Sequence, residues 1–161
     1  MKKREFLPLF LIALLFLSSC GRSDAPESKS YRVGDRFATP FFRCTVTDAY
    51  RRQSYHGVMA GEGQRLIVVE LTIENTQDYS LPMSRYDFRL QLSEELNDYA
   101  YPLTSYCDAQ LPDDYEIPED EKQTGTLVFR VPEEIRDMAL GYLEIFEDDH
   151  QGDAHFVYFT V

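Results

Sequence analysis

The chain has 161 residues, 43% of them apolar and 14% aromatic, which suits a single hydrophobic core and excludes a wholly disordered protein. Its 16 basic residues face 28 acidic ones, a formal charge of −12. A surface of that sign repels phosphate backbones, so nucleic acid is not expected as a partner.

At the N-terminus, Lys2, Lys3 and Arg4 precede an apolar stretch from Phe6 to Leu17. A helix needs about 20 residues to cross a bilayer, so this stretch is too short to span and fits the apolar region of a signal peptide. It ends Leu17-Ser18-Ser19-Cys20, followed by Gly21. This resembles the lipobox of bacterial lipoproteins. The resemblance implies cleavage between Ser19 and Cys20, with palmitate-type acyl chains on the Cys20 thiol holding the protein to a lipid bilayer. On the residues alone, Cys20 also suits an ordinary cysteine after a plain signal peptide or at the end of a membrane anchor. Two or more acyl chains make a stable anchor where one is marginal. With glycine rather than aspartate after the cysteine, the resemblance implies the outer membrane of a two-membrane bacterium. In a one-membrane bacterium it implies the outer face of the plasma membrane. Either location is in the cell envelope, outside the cytoplasm. Loss of residues 1–19 leaves 13 basic and 27 acidic residues, a formal charge of −14.

Residues 20–30 read as the lipidated cysteine and a flexible tether, since Gly21 to Ser30 is small, polar and without apolar periodicity. Residues 31–161 read as one domain of short strands separated by Asp, Asn, Gly and Pro clusters. In "FFRCTVTDAY", Phe42, Cys44 and Val46 share a face. In "QRLIVVELTIEN", Ile67, Val69, Leu71 and Ile73 share one face, and Leu66 and Val68 make the other face apolar too. That predicts a central strand covered on both sides near its start. Phe88, Leu90 and Leu92 form the next inward set, and Leu127, Phe129 and Val131 another, ended by Pro132. Two final runs lie around Leu143 and Ile145 and in "HFVYFTV". Only Pro132 to Met138 suits a helical turn. Six or seven strands without intervening helices predict an all-β antiparallel sandwich, with a closed barrel as the structural alternative.

Val33-Gly34-Asp35, "LIVVELTIEN", Asp87-Phe88 and "GTLVF" at Gly125 to Phe129 are similar to the motifs of a family of secreted bacterial domains. That family has an immunoglobulin-like fold, no settled function and frequent lipoprotein members. The resemblance spans about Tyr31 to Val161 and implies the sandwich without implying an activity. The segment from Tyr99 to Asp120 is longer than a simple strand connection.

Chemistry-bearing residues are few. Cys44 and Cys107 remain once Cys20 is set aside, an even count in an oxidising compartment. A disulfide between them would stabilise by roughly 4 kcal/mol in the chain-entropy model; two separate thiols are the alternative. His56, His150 and His155 read as surface-loop residues, and Ser54 with His56 lacks the setting of a nucleophile elbow. Asp113, Asp114, Glu116, Asp148 and Asp149 are weak calcium candidates without EF-hand spacing, and solvated loop charge is the reading preferred for them. No other metal and no cofactor are expected. Tyr99, Tyr101, Tyr106 and Tyr115 crowd the long segment, as an interface would, although loop packing also accounts for them. The absence of tryptophan weakens a sugar-binding reading without excluding it.

The expectation is a membrane-anchored, non-catalytic binding module that docks an envelope protein or other ligand through the tyrosine-rich loop. A structural or stress-related envelope component without a specific ligand is one alternative. A hydrolase using His56 or His150 is another.

Overall fold

The computed structural model describes residues 26–93 and 98–161. The signal sequence and the Ser19-Cys20 junction lie outside the described residues. In chain order the strands are β1 (Ser28–Arg32), β2 (Arg36–Ala38), β3 (Phe42–Arg52), β4 (Ser54–Tyr55), β5 (Val58–Met59), β6 (Gln64–Asn75) and β7 (Leu81–Ser84). There follow β8 (Phe88–Gln91), β9 (Tyr99–Ala100), β10 (Asp114–Ile117), β11 (Lys122–Pro132), β12 (Asp137–Ile145) and β13 (Gln151–Thr160). They build a sandwich of a five-stranded sheet, β1-β13-β12-β8-β9, and a four-stranded sheet, β11-β6-β3-β2, with small ribbons β10-β7 and β4-β5. The expected all-β sandwich is thus the observed one, and the barrel is not formed.

β6 organises the second sheet, as its pattern foretold. It pairs antiparallel with β11 from Gln64↔Pro132 to Glu74↔Lys122 and with β3 from Leu66↔Arg52 to Asn75↔Phe42. Ile67, Val69, Leu71 and Ile73 enter the main core beside Phe42, Phe88, Leu90 and Phe129. Leu66 and Val68 enter a second cluster with Val128 and Ala60 on the opposite face. That outer cluster is roofed by Tyr55 of the β4-β5 hairpin and by Leu103.

Several expectations change. The tether is shorter, because Ser28–Arg32 pairs parallel with Ala154 to Tyr158 of β13, a parallel pair in a largely antiparallel molecule. Tyr31 explains this: its ring stacks on Phe37 at 5.2 Å and its hydroxyl lies 3.3 Å from His155 Nδ1. His155 is not a loop residue; it is wholly buried, with Nε2 2.8 Å from Glu144 Oε1. Pro132 to Met138 forms no helical turn, since Ile135 N–H donates to Pro132 O at 3.3 Å and the chain reverses directly from β11 to β12. On β12 the inward set is Met138, Leu140 and Tyr142, so Leu143 and Ile145 face outward and Ile145 is exposed. The helical element present is a short 3-10 turn at Arg85–Asp87.

The expected Cys44–Cys107 bond is absent and both thiols are free. Cys44 lies on β3, opposite Ile73 of β6. Cys107 lies beyond β11, where Gln110 N–H donates to its carbonyl and Gln110 bridges to Thr126. Three strand spacings of about 4.8 Å therefore separate the cysteines, more than a disulfide can bridge. Burial pushes the Cys44 thiol up to about 12, which makes it a poor nucleophile.

Asn75, at the end of β6, is the buried polar tie of the fold. Its Nδ2 donates to Tyr79 O at 2.8 Å, Ile117 O at 2.9 Å and Pro118 O at 3.1 Å, and its Oδ1 accepts from Gln77 N at 2.8 Å. Replacing Asn75 with Ala strands those carbonyls, and a loss of about 3 kcal/mol is expected in urea unfolding, more than a single neutral hydrogen bond. For the thiols, a disulfide reagent is expected to label Cys107 in the folded domain without prior reduction and to reach Cys44 only on unfolding. Protection of both until reduction would instead mean a bond.

Candidate functional site

The long segment does two jobs. Leaving β9, it runs along the outer edge of β11, where Leu103 N–H donates to Val128 O at 2.7 Å and Leu111 N–H to Thr126 O at 3.0 Å. Thr126 N–H donates back to Ala109 O at 2.9 Å, so the edge that would otherwise template aggregation is covered. Gly125 allows this approach: a Cβ there would lie 2.8 Å from Leu111 Cδ2. Tyr106 and Tyr115 belong to this structural part. Neither phenol oxygen has a hydrogen-bond partner among the described residues, and burial pushes both phenols up. Tyr115 packs on the main core opposite Met83.

Tyr99 and Tyr101, by contrast, reach the surface and meet a residue that sequence proximity hides. Tyr86, on the 3-10 turn, is 56% exposed and meets Tyr101, 44% exposed, edge-on at 5.4 Å. Tyr101 meets Tyr99 edge-on at 5.3 Å, and the hydrogen bond between these side chains, followed by burial, raises the Tyr101 phenol. Arg85 stacks 4.5 Å above the Tyr86 ring and Arg89 5.1 Å above Tyr99. The turn holds Tyr86 outward through a capping box: Ser84 N–H donates to Asp87 Oδ2 at 2.7 Å and Tyr86 N–H to Ser84 Oγ at 3.4 Å. Arg85 ties the turn to the long segment, donating from Nη1 to Pro102 O at 2.9 Å and lying 3.5 Å from Asp113 Oδ1. The result is a braced face of three tyrosines and two arginines. Sequence reading found Tyr99 and Tyr101 and missed Tyr86, Arg85 and Arg89, whose strand partners are set only by folding.

Other expected sites are not assembled. Asp113 Oδ1 accepts from Ser105 N at 2.8 Å as well as facing Arg85, and Glu116 Oε2 accepts from Ser80 Oγ at 3.1 Å. Asp148 and Asp149 sit apart in the β12-β13 hairpin. Among the described residues no three His, Cys, Asp or Glu side chains converge as a metal would require, and Asp114 and Glu116 lie on β10 rather than in a loop. His56 occupies a left-handed position, φ 46°, in the two-residue turn of β4-β5, and its ring meets Tyr55 at 4.5 Å. His150 Nδ1 lies 2.6 Å from Asp148 Oδ1, and its ring stacks on Phe146 at 4.2 Å. The two histidines of the hydrolase reading thus brace two different hairpins.

A groove of about 840 Å³ opens where β1 and β13 end, lined by Arg32, Val33, Gln91, Asp137, Tyr158 and Thr160 among others. It lies at the opposite end of β1 from Ser28, where the chain enters the domain.

These features define the protein's class: an immunoglobulin-like β-sandwich with an aromatic and cationic surface beside its five-stranded sheet. The chain belongs to the family described as a domain of unknown function (DUF4352), whose model matches residues 31–151. Among solved structures it is similar to the putative lipoprotein ycdA from Bacillus subtilis subsp. subtilis str. 168, at 15% identity and TM-score 0.62, over 78% of this chain but only 38% of that one. It is also similar to the yjhA protein from Bacillus subtilis, at 18% identity and TM-score 0.61, over 79% of this chain and 99% of that one. An uncharacterised β-sandwich protein from Clostridium difficile 630 matches at 13% identity and TM-score 0.53, over 83% and 95% of the two chains. Likenesses this remote concern the fold alone. No curated protein matches the chain.

The division between buried and exposed tyrosines can be measured. Tyr115→Phe removes an unpartnered buried hydroxyl and is expected to leave stability unchanged or raise it by up to about 1 kcal/mol in urea unfolding, whereas Tyr115→Ala should cost about 3–5 kcal/mol.

Proposed function

We propose that this chain is a lipid-anchored, extracytoplasmic, non-catalytic module that binds a component of the cell envelope through Tyr86, Tyr99, Tyr101, Arg85 and Arg89. One observation carries the reading: exposed tyrosines gather beside arginines on a braced surface of a strongly acidic chain. Tyr and Arg are among the residues that dominate binding surfaces, Tyr because it brings large rigid contact area at low entropic cost and Arg because its planar guanidinium both stacks and donates several hydrogen bonds. The anchor is supported by the Leu17 to Cys20 pattern and by the description of the similar ycdA protein as a lipoprotein.

The test compares wild type, Cys20→Ser and the double variant Tyr86→Ala/Tyr101→Ala in chemically crosslinked cells. Cys20→Ser is expected to leave the membrane fraction. The double variant is expected to stay there, folded, and to lose its crosslinked adduct. An adduct of unchanged yield in the double variant would overturn the assignment of this face, and membrane retention of Cys20→Ser would overturn the anchor.

A further inference from the structure

The tyrosine-arginine face does not stop at β9. Across the outside of the five-stranded sheet the register aligns Tyr158 with Ala139, Ala139 with Gln91 and Gln91 with Tyr99. The neighbouring row aligns Phe156 with Gly141 and Gly141 with Arg89. Gly141 leaves room for the Phe156 ring to lie over β12: a Cβ there would be 3.1 Å from Phe156 Cε1. Phe156 and Tyr158 sit 6.3 Å apart on this face, and Tyr158 is 51% exposed. From Tyr158 to Tyr99 the platform crosses three strand spacings, about 14 Å. At one end Gln91, Ala139 and Tyr158 pass into the groove of about 840 Å³, a volume typical of small-ligand sites.

We infer that this platform and groove bind a neutral oligosaccharide chain of the envelope; the inference rests on the binding-module reading and names its ligand class. β12 and β8 are each hydrogen-bonded on both sides, so the centre of the platform has no free strand edge with which to add a peptide by main-chain pairing. What it offers instead is aromatic rings beside polar groups: the Gln91 amide, the Arg89 guanidinium stacked on Tyr99 and the Asp137 carboxylate, which accepts from Thr160 Oγ1 at 2.6 Å. A pyranose presents the complement, a C–H face for aromatic rings and hydroxyls around its rim. Charge narrows the choice further. Arg32 and Arg89 balance Asp48 and Asp137 around the groove and platform, whereas the exported chain carries −14, so a neutral ligand meets no opposing field and a phosphate polymer or second copy does. The groove also lies at the end of the sandwich away from Ser28, where a chain tethered at Cys20 would leave it accessible from outside.

The experiment is calorimetric titration of the full acylated chain in detergent micelles with chitotetraose, cellotetraose and, as the charged counterpart, tetragalacturonate. Saturable binding of at least one neutral tetramer is expected. Tyr158→Ala should weaken it roughly tenfold, the scale of one lost aromatic contact. Tyr79→Ala, an equally exposed tyrosine outside the platform, should leave it unchanged. The inference is overturned if neither neutral tetramer binds up to about 10 mM, a free energy already too weak for a built site. It is likewise overturned if tetragalacturonate binds more tightly, or if Tyr158→Ala binds as wild type. Should the sugars fail while the Tyr86/Tyr101-dependent adduct persists, the ligand class is wrong and the binding module stands. Failure of both removes both.

Discussion

β6 must be buried on both faces and hydrogen-bonded along both edges, and most of the architecture follows from that demand. Its twelve residues can satisfy their main-chain groups only between β3 and β11. Ile67, Val69, Leu71 and Ile73 need a second sheet above them, which β12, β13 and β8 provide. Leu66 and Val68 need a cover below, which a two-residue hairpin and Leu103 provide. The long segment from Tyr99 to Asp120 is therefore a structural necessity first, closing the edge of β11, and only at its beginning a surface for something else.

Polar groups are distributed to the same end. Asn75 joins the close of β6 to the turns before β7 and β11 by saturating its own amide. Glu74, next to it, faces outward and gathers Arg36, Arg43 and Lys122, which ties together all four strands of that sheet. His155 and Glu144 are the costlier arrangement, two titratable groups inside the sandwich, balanced by stacking on Phe37 at 5.0 Å and by the amide of Asp153 donating to Glu144 Oε2 at 2.9 Å. Lys29 and Glu27 both bond to Asp153, so the strand nearest the proposed anchor is held by the same corner of the fold. A pull on the tether would act along β1, in shear against β13.

Two cations stack on tyrosines beside the five-stranded sheet. Arg85 and Arg89 rest on the rings of Tyr86 and Tyr99, Arg85 also facing Asp113, beside the outer face of the five-stranded sheet on which Tyr99, Phe156 and Tyr158 align. That combination links the fold to the proposed binding role. A scaffold closed at its edges can expose rings on a face without risking strand addition, because the main chain beneath them is already paired.

Alternation along the chain settled the strands that are long and half-buried, since a period of two leaves one readable face: β3, β6, β8 and β11 lie where their apolar residues put them. The double burial of β6 was legible for the same reason. The inward phase of β12 was not, because Leu140, Leu143 and Ile145 are apolar on both faces and only pairing with β13 and β8 selects between them. β1 was hidden because its polar residues carry no pattern, and its place comes from one tyrosine reaching a histidine 124 positions away. The contact of Tyr86 with Tyr101, and the alignment of Tyr158 and Tyr99 in one row across the sheet, likewise belong to tertiary structure. Side-chain types are written along one dimension, while a binding face is a neighbourhood in three, assembled from strands whose order no local pattern contains.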